Sequence, residues 1–171
     1  MTAGSRHLPH LARRLAMALR REPPNPHDEA WAATVLSAAE LALFRRHRPD
    51  DRRHALAVAR TVQSACSAAR TAPPTWVLPA ALLHDIGKVD ADLGTAGRVV
   101  ASLCKLVRVR TAPGTLGRYL RYERRGAELL TEAGAHPCTA AWAAEHHAPA
   151  ERWTVPLRWG RLLSDADHHA V

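Results

Sequence analysis

The sequence is poor in several things that whole classes of protein require. It has one Phe and two Tyr in 171 residues and no β-branched runs, which argues against strand-rich sandwiches and barrels. No apolar stretch approaches the roughly 20 residues of a membrane-spanning helix, and Arg13-Arg14 interrupts any signal-peptide core. Its three cysteines, Cys66, Cys104 and Cys138, are an odd number, far apart, in apolar surroundings. They have neither the spacing of a structural zinc cage nor the even count of a disulfide framework. Reduced core thiols are the expectation, and with them a cytoplasmic protein. Internal repeats, heptad arrays and low-complexity tracts are absent. No serine or cysteine with a partnering base is evident in the sequence, so nothing points to a covalent nucleophile. Lysine is scarce too: of 24 basic residues only Lys88 and Lys105 are Lys, the rest Arg.

What remains is Ala, Leu and Arg, a composition that favours an all-α fold, and the length fits one helical domain with its own core. The formal charge of +8 favours anionic partners through long-range attraction. It does not choose among nucleotides, nucleic acids and acidic lipids; solvated arginine faces are the plain alternative.

Residues 1–24 read as a basic amphipathic helix and linker, with Leu8, Leu11, Leu15 and Leu19 on one stripe. The helix could pack on the domain, bind a membrane surface or partner, or act as a mitochondrial presequence, since no acidic residue precedes Glu22. The helical domain covers 25–171. Asn25-Pro26 is a cap followed by a first-turn proline, and Ser37 to Glu40 fits a capping box. Pro49-Asp50-Asp51 opens a long helix to about Arg70. Its apolar positions Ala55, Val58, Ala59, Val62, Ala65, Cys66 and Ala69 cover an arc of about 120°, with His54 at the edge. Trp31 and Phe44 are expected core anchors. After Pro73-Pro74, Thr75 can cap a helix that runs through Leu82 and Leu83 and stops at Gly87. Further helices are expected over 95–109, 118–133, from Pro137 to Glu145-His146-His147, and from Pro156 with Trp159, Leu162, Leu163 and Ala166 inward. A loop should cover 111–117, and His168 and His169 read as tail.

One dipeptide stands out by setting. His27-Asp28 opens a helix, where acidic side chains offset the positive helix end. His84-Asp85 instead ends an apolar helix, and buried charge must be paired or bound to metal. Collected along the chain, His54, His84, Asp85, His146 or His147, and Asp165 or Asp167 lie on or at the end of separate helices. Asp165 and Asp167 flank the buried stripe almost symmetrically, so periodicity does not choose between them. Imidazoles with carboxylates suit a nitrogen/oxygen site for Mn²⁺, Fe²⁺, Co²⁺, Ni²⁺, Zn²⁺ or Mg²⁺. Arg118, Arg121, Arg124 and Arg125 form the densest positive cluster, either a solvated face or an anion-recruiting rim.

This order resembles the HD superfamily of metal-dependent phosphohydrolases, whose pattern is His, then His-Asp, then a distal Asp. The likeness spans roughly residues 25–169. It is strongest over Ala80-Ala81-Leu82-Leu83-His84-Asp85-Ile86-Gly87-Lys88 and includes Asp51-Arg52-Arg53-His54 and Leu163-Ser164-Asp165-Ala166-Asp167. The chain also looks like a bacterial branch sharing Trp153-Thr154-Val155-Pro156. The resemblance implies a helical bundle of HD-domain type holding one divalent ion through His54, His84, Asp85, His146 and Asp167, with Asp167 favoured because the family's last ligand follows Ala. It implies a metal-activated water hydrolysing a phosphate ester or anhydride of a nucleotide or other small metabolite. Asp85 and Lys88 would be catalytic; Lys88, Arg53, Arg121 and His147 would bind phosphate. Members with two metals carry a His upstream of a Gly in the intermediate helix; here Tyr122 stands there, and neutral Tyr is a poor ligand, which puts a second metal in doubt. Two other readings compete: a non-catalytic metal- or nucleotide-binding regulatory module, and, ranked lower, nucleic-acid binding through the arginine surface.

Overall fold

Helix starts are set by caps and prolines. In the computed structural model, which describes residues 25–90 and 121–170 together with Gly114, α1 (Pro26–Val35) follows Asn25, whose side chain accepts from the His27 N–H. α2 (Ala38–Arg46) has a complete capping box between Ser37 and Glu40, and α3 (Pro49–Ala68) opens on proline. α4 spans Val77–Leu83 and leads into a 3₁₀ turn, Ile86–Asp90. Beyond lie α5 (Tyr122–Glu132), α6 (Pro137–Glu145), a short 3₁₀ turn at Ala150–Arg152 and α7 (Leu157–His169). The fold is all-α, with no strand among the described residues, and none of their helices is long and apolar enough to cross a membrane. The expected helix and linker at 1–24, the helix at 95–109, the start of the one at 118–133, the loop at 111–117 apart from Gly114, and Cys104 lie outside the described residues.

The short helix α4 is the axis of the core. Val77, Pro79, Ala80, Ala81, Leu82 and Leu83 are all buried, because a helix apolar on every side must be surrounded. α1, α2, α3, α6 and α7 all pack against it. α3 buries Ala55, Leu56, Val58, Ala59, Val62 and Cys66; the stripe ends there, and Ala69 is exposed. Phe44 is fully buried, whereas Trp31 is only partly so and lies under the Arg60 guanidinium, 3.9 Å from its centroid. Thr75 does not cap α4: the cap is Trp76, which makes no side-chain cap bond. His168 and His169 extend α7 instead of trailing from it.

Gly87 does not end a helix in the left-handed region either. Among the described glycines only Gly114 and Gly134 have positive φ. Gly87 lets backbones touch: a Cβ there would lie 1.8 Å from the Tyr122 carbonyl oxygen and 2.7 Å from the Gly126 nitrogen. The 3₁₀ turn therefore seats directly on α5, which brings Tyr122 beside Lys88. At the other end, the Trp153 indole N–H donates to the Glu145 and Ala148 carbonyls, 3.0 Å each. The Glu145 carboxylate accepts from the Thr154 N–H and hydroxyl. Gly160 of α7 fits under the Trp153 ring, where a Cβ would come within 2.7 Å. The tryptophan-rich stretch thus clamps the end of α6 to α7.

Candidate metal centre

Two histidines end helices in the same way. The last carbonyls of a helix lack intrahelical donors, and a carbonyl can only accept. His84, capping α4, gives its Nδ1–H to the Ala81 carbonyl at 2.9 Å. His146, capping α6, does so to Ala143 at 3.1 Å and Trp142 at 3.3 Å. Each ring is thereby fixed with Nε2 pointing away from its own helix end.

The His84 Nε2 is buried and has no hydrogen-bond partner. It faces the Asp85 Oδ2 at 3.5 Å and the Asp167 Oδ1 at 3.7 Å. Burial holds its pKa below the ordinary histidine range, so near neutral pH this nitrogen presents a lone pair to two carboxylate oxygens. Such a meeting of acceptors is repulsive unless a positive charge lies among them.

Asp85 is 3% exposed. Burial alone would raise its pKa, but Lys88 first, then His84 and His146, hold the carboxyl well below the usual range. Its Oδ2 takes the Lys88 ammonium. Its Oδ1 is buried without a hydrogen-bond partner, 3.7 Å from the His146 Nε2. His54 comes in from α3, and its Nε2 lies 2.8 Å from the Asp167 Oδ1. Asp167 is likewise held well below the carboxylate range; burial opposes this, while the bond to His54 and the charge of His84 outweigh it. Ligand atoms of His54, His84 and Asp85 all fall within 4.8 Å of one another. Side-chain exposures of 18% for His54 and 16% for Asp167, against 2% for His84 and 5% for Asp85, put the mouth of the site between α3 and α7.

The imidazoles continue as a row: centroids are 5.5 Å apart from His54 to His84, 5.2 Å from His84 to His146 and 4.1 Å from His146 to His147. The row ends at Tyr122, whose buried hydroxyl lies 2.8 Å from the His147 Nε2 and 3.4 Å from the His146 Nε2. The Tyr122 hydroxyl thus meets both Nε2 atoms from one side of the pair.

The structure brings His54, His84, Asp85, Lys88, His146 and Asp167 together, with His147 at the margin through Tyr122. Asp165 is exposed. Arg121 is exposed at the start of α5 and makes no ion pair with the cluster, and Arg53 is half-buried beside His54. Arg118 lies outside the described residues, while Arg124 pairs with Glu128, and Arg125 with Asp90 and Glu128. Sequence reasoning missed His47. It is 3% exposed at the end of α2, edge-on to Phe44, with neither ring nitrogen hydrogen-bonded. Burial lowers its pKa to about 4, although the charges of Asp51 and Asp85 oppose this. Periodicity could not find it, because it falls at the junction between α2 and α3. No family model matches the chain, and no curated protein or solved structure matches it.

Proposed function

We propose that the chain is a hydrolase of phosphate esters or anhydrides, of HD-domain type, that works with one divalent ion held by His54, His84, Asp85 and Asp167. The observation that carries this reading is the bare His84 Nε2 facing two carboxylates. Two imidazole nitrogens and two carboxylate oxygens form a borderline donor set suited to Mn²⁺, Fe²⁺, Co²⁺, Ni²⁺ or Zn²⁺. The ends of α4 and α6 add their partial negative charge. Such an ion supplies Lewis acidity, which eases deprotonation of water and polarises a phosphoryl oxygen. Asp85 stays ionised and its Oδ1 is buried without a hydrogen-bond partner, so it can accept a hydrogen bond from the attacking water and orient it. Lys88 lies against Asp85 and can offset charge on the transferred group. His54 and Asp167, at the mouth, hold the side from which a substrate enters.

Nucleotides and other small phosphorylated metabolites are the proposed substrates. The free thiols of Cys66 and Cys138 support a cytoplasmic setting. Nucleic-acid binding ranks lower, because only scattered tryptophans could stack bases and no recognised motif is present. The test is turnover of a phosphoester panel with Mn²⁺ or Ni²⁺, wild type against Asp85→Ala. Equal inactivity of both, with metal bound to the wild type, overturns the hydrolase. One observation favours a second reading, a regulatory module that binds metal or nucleotide without turnover: the Tyr122 hydroxyl lies against the Nε2 atoms of His146 and His147, where a second ion would need a stronger ligand. Micromolar nucleotide binding without turnover, measured by calorimetry, supports that alternative.

A further inference from the structure

The oxygen of Asp85 that faces His84 already has a cation. The Lys88 ammonium lies on Oδ2, the atom 3.5 Å from the His84 Nε2, while Oδ1 turns to His146. Lys88 reaches it from the 3₁₀ turn three residues on, and its ammonium is 5.1 Å from the Tyr122 ring centroid. Its side chain is 13% exposed, so little water screens its charge. A divalent ion held by His84 and by the Asp85 oxygen that faces it would have to displace this ammonium from Oδ2 or endure its repulsion at close range in a poorly screened site.

We propose that Lys88 is an internal counter-ion that competes with the metal for Oδ2 of Asp85 and thereby sets which divalent ions the site accepts. This rests on the reading of the cluster as a metal centre. With Lys88 in place, the buried carboxylate is neutralised without metal, and the fold does not depend on loading. Only ions that gain strongly from imidazole nitrogen overcome the competition; Mg²⁺, which gains little, does not. The displaced ammonium stays near the Tyr122 face, beside the centre.

The test compares full-length wild type with Lys88→Met, which keeps an unbranched stem and removes the charge. Calorimetry with Mn²⁺, Zn²⁺ and Mg²⁺ alone should show Mn²⁺ binding at least about tenfold tighter in Lys88→Met, and Mg²⁺ binding only there. Metal-free Lys88→Met should melt at lower temperature than wild type, and saturating Zn²⁺ should narrow the gap. Unchanged or weaker Mn²⁺ affinity in a folded Lys88→Met overturns the counter-ion and leaves the metal centre standing. Failure of every ion to bind either protein overturns both. Should Lys88→Met not fold, lysine-labelled wild type decides by NMR, since Lys88 and Lys105 are the only lysines. The Lys88 ammonium protons should be protected from solvent exchange without metal and lose that protection with Zn²⁺. Protection that persists with Zn²⁺ bound overturns the proposal.

Discussion

Replacing His47 with methionine tests the claim that this imidazole is buried neutral and unpartnered. The unfolded chain takes a proton on it near pH 6.5, whereas the folded protein resists until about pH 4. Between those values the unfolded state binds more protons, so stability falls as the solution is acidified through the window. A depression of this size corresponds to about 3 kcal/mol once pH is below the folded value, and about 2.5 kcal/mol at pH 4.5. At 3% exposure, solvent screening removes little of it. His47→Met takes no proton, so its urea-unfolding free energy should fall between pH 7 and 4.5 by about 2–3 kcal/mol less than that of wild type. Both measurements belong in chelator, to keep metal binding out of the comparison. At pH 7 the variant should match or exceed wild type by about 1 kcal/mol, because both imidazole nitrogens are buried without partners. An identical acid loss in the two proteins would refute the burial argument. A variant weaker by more than about 2 kcal/mol at pH 7 would mean that the imidazole serves a partner.

Gly87→Ala should be severely destabilising, by more than about 3 kcal/mol, because its Cβ would strike a backbone oxygen at 1.8 Å that no rotamer can move. Gly126→Ala, whose nearest neighbour is at 3.2 Å, should be much milder, and paired thermal melts check the contrast. For metal binding, Asp167→Ala should lower Zn²⁺ affinity on the order of 100-fold while Asp165→Ala stays within about twofold. Calorimetry decides, and equal losses would contradict the assignment of Asp167 to the site.

The helices were legible wherever local chemistry decides the outcome. Asn25-Pro26, the Ser37–Glu40 box and Pro137 all start helices where cap and proline rules put them. The stripe on α3 could be read as far as Cys66, since one buried face imposes one period. What could not be read was tertiary. Asp165 and Asp167 flank the α7 stripe alike, and only the approach of α3 turns Asp167 toward His54 while Asp165 faces solvent. Gly87 looked like a helix stop because its sequence neighbours are helical; its reason is the backbone of α5, distant in sequence. His47 belongs to no stripe at all. The convergence of His84, Asp85 and Asp167 is set by how α3, α4 and α7 pack, which no local pattern specifies.

Charge explains why these groups belong together. The sequence is strongly basic, yet the centre of the fold is not. Asp85 and Asp167 are held ionised there, His84 is held neutral, and Lys88 is the cation in contact with Asp85. The C-terminal ends of α4 and α6 add partial negative charge on the same side. An anionic point in a poorly hydrated interior is costly, and a fold under no constraint but stability would fill the end of an apolar helix with leucine. Keeping two carboxylates there is consistent with a site that takes up a dication. On the proposed reading, the net positive charge of the sequence would act at longer range and favour the approach of an anionic substrate. The two opposite fields serve one chemistry only if a dication and an anionic substrate meet at the mouth formed by His54 and Asp167.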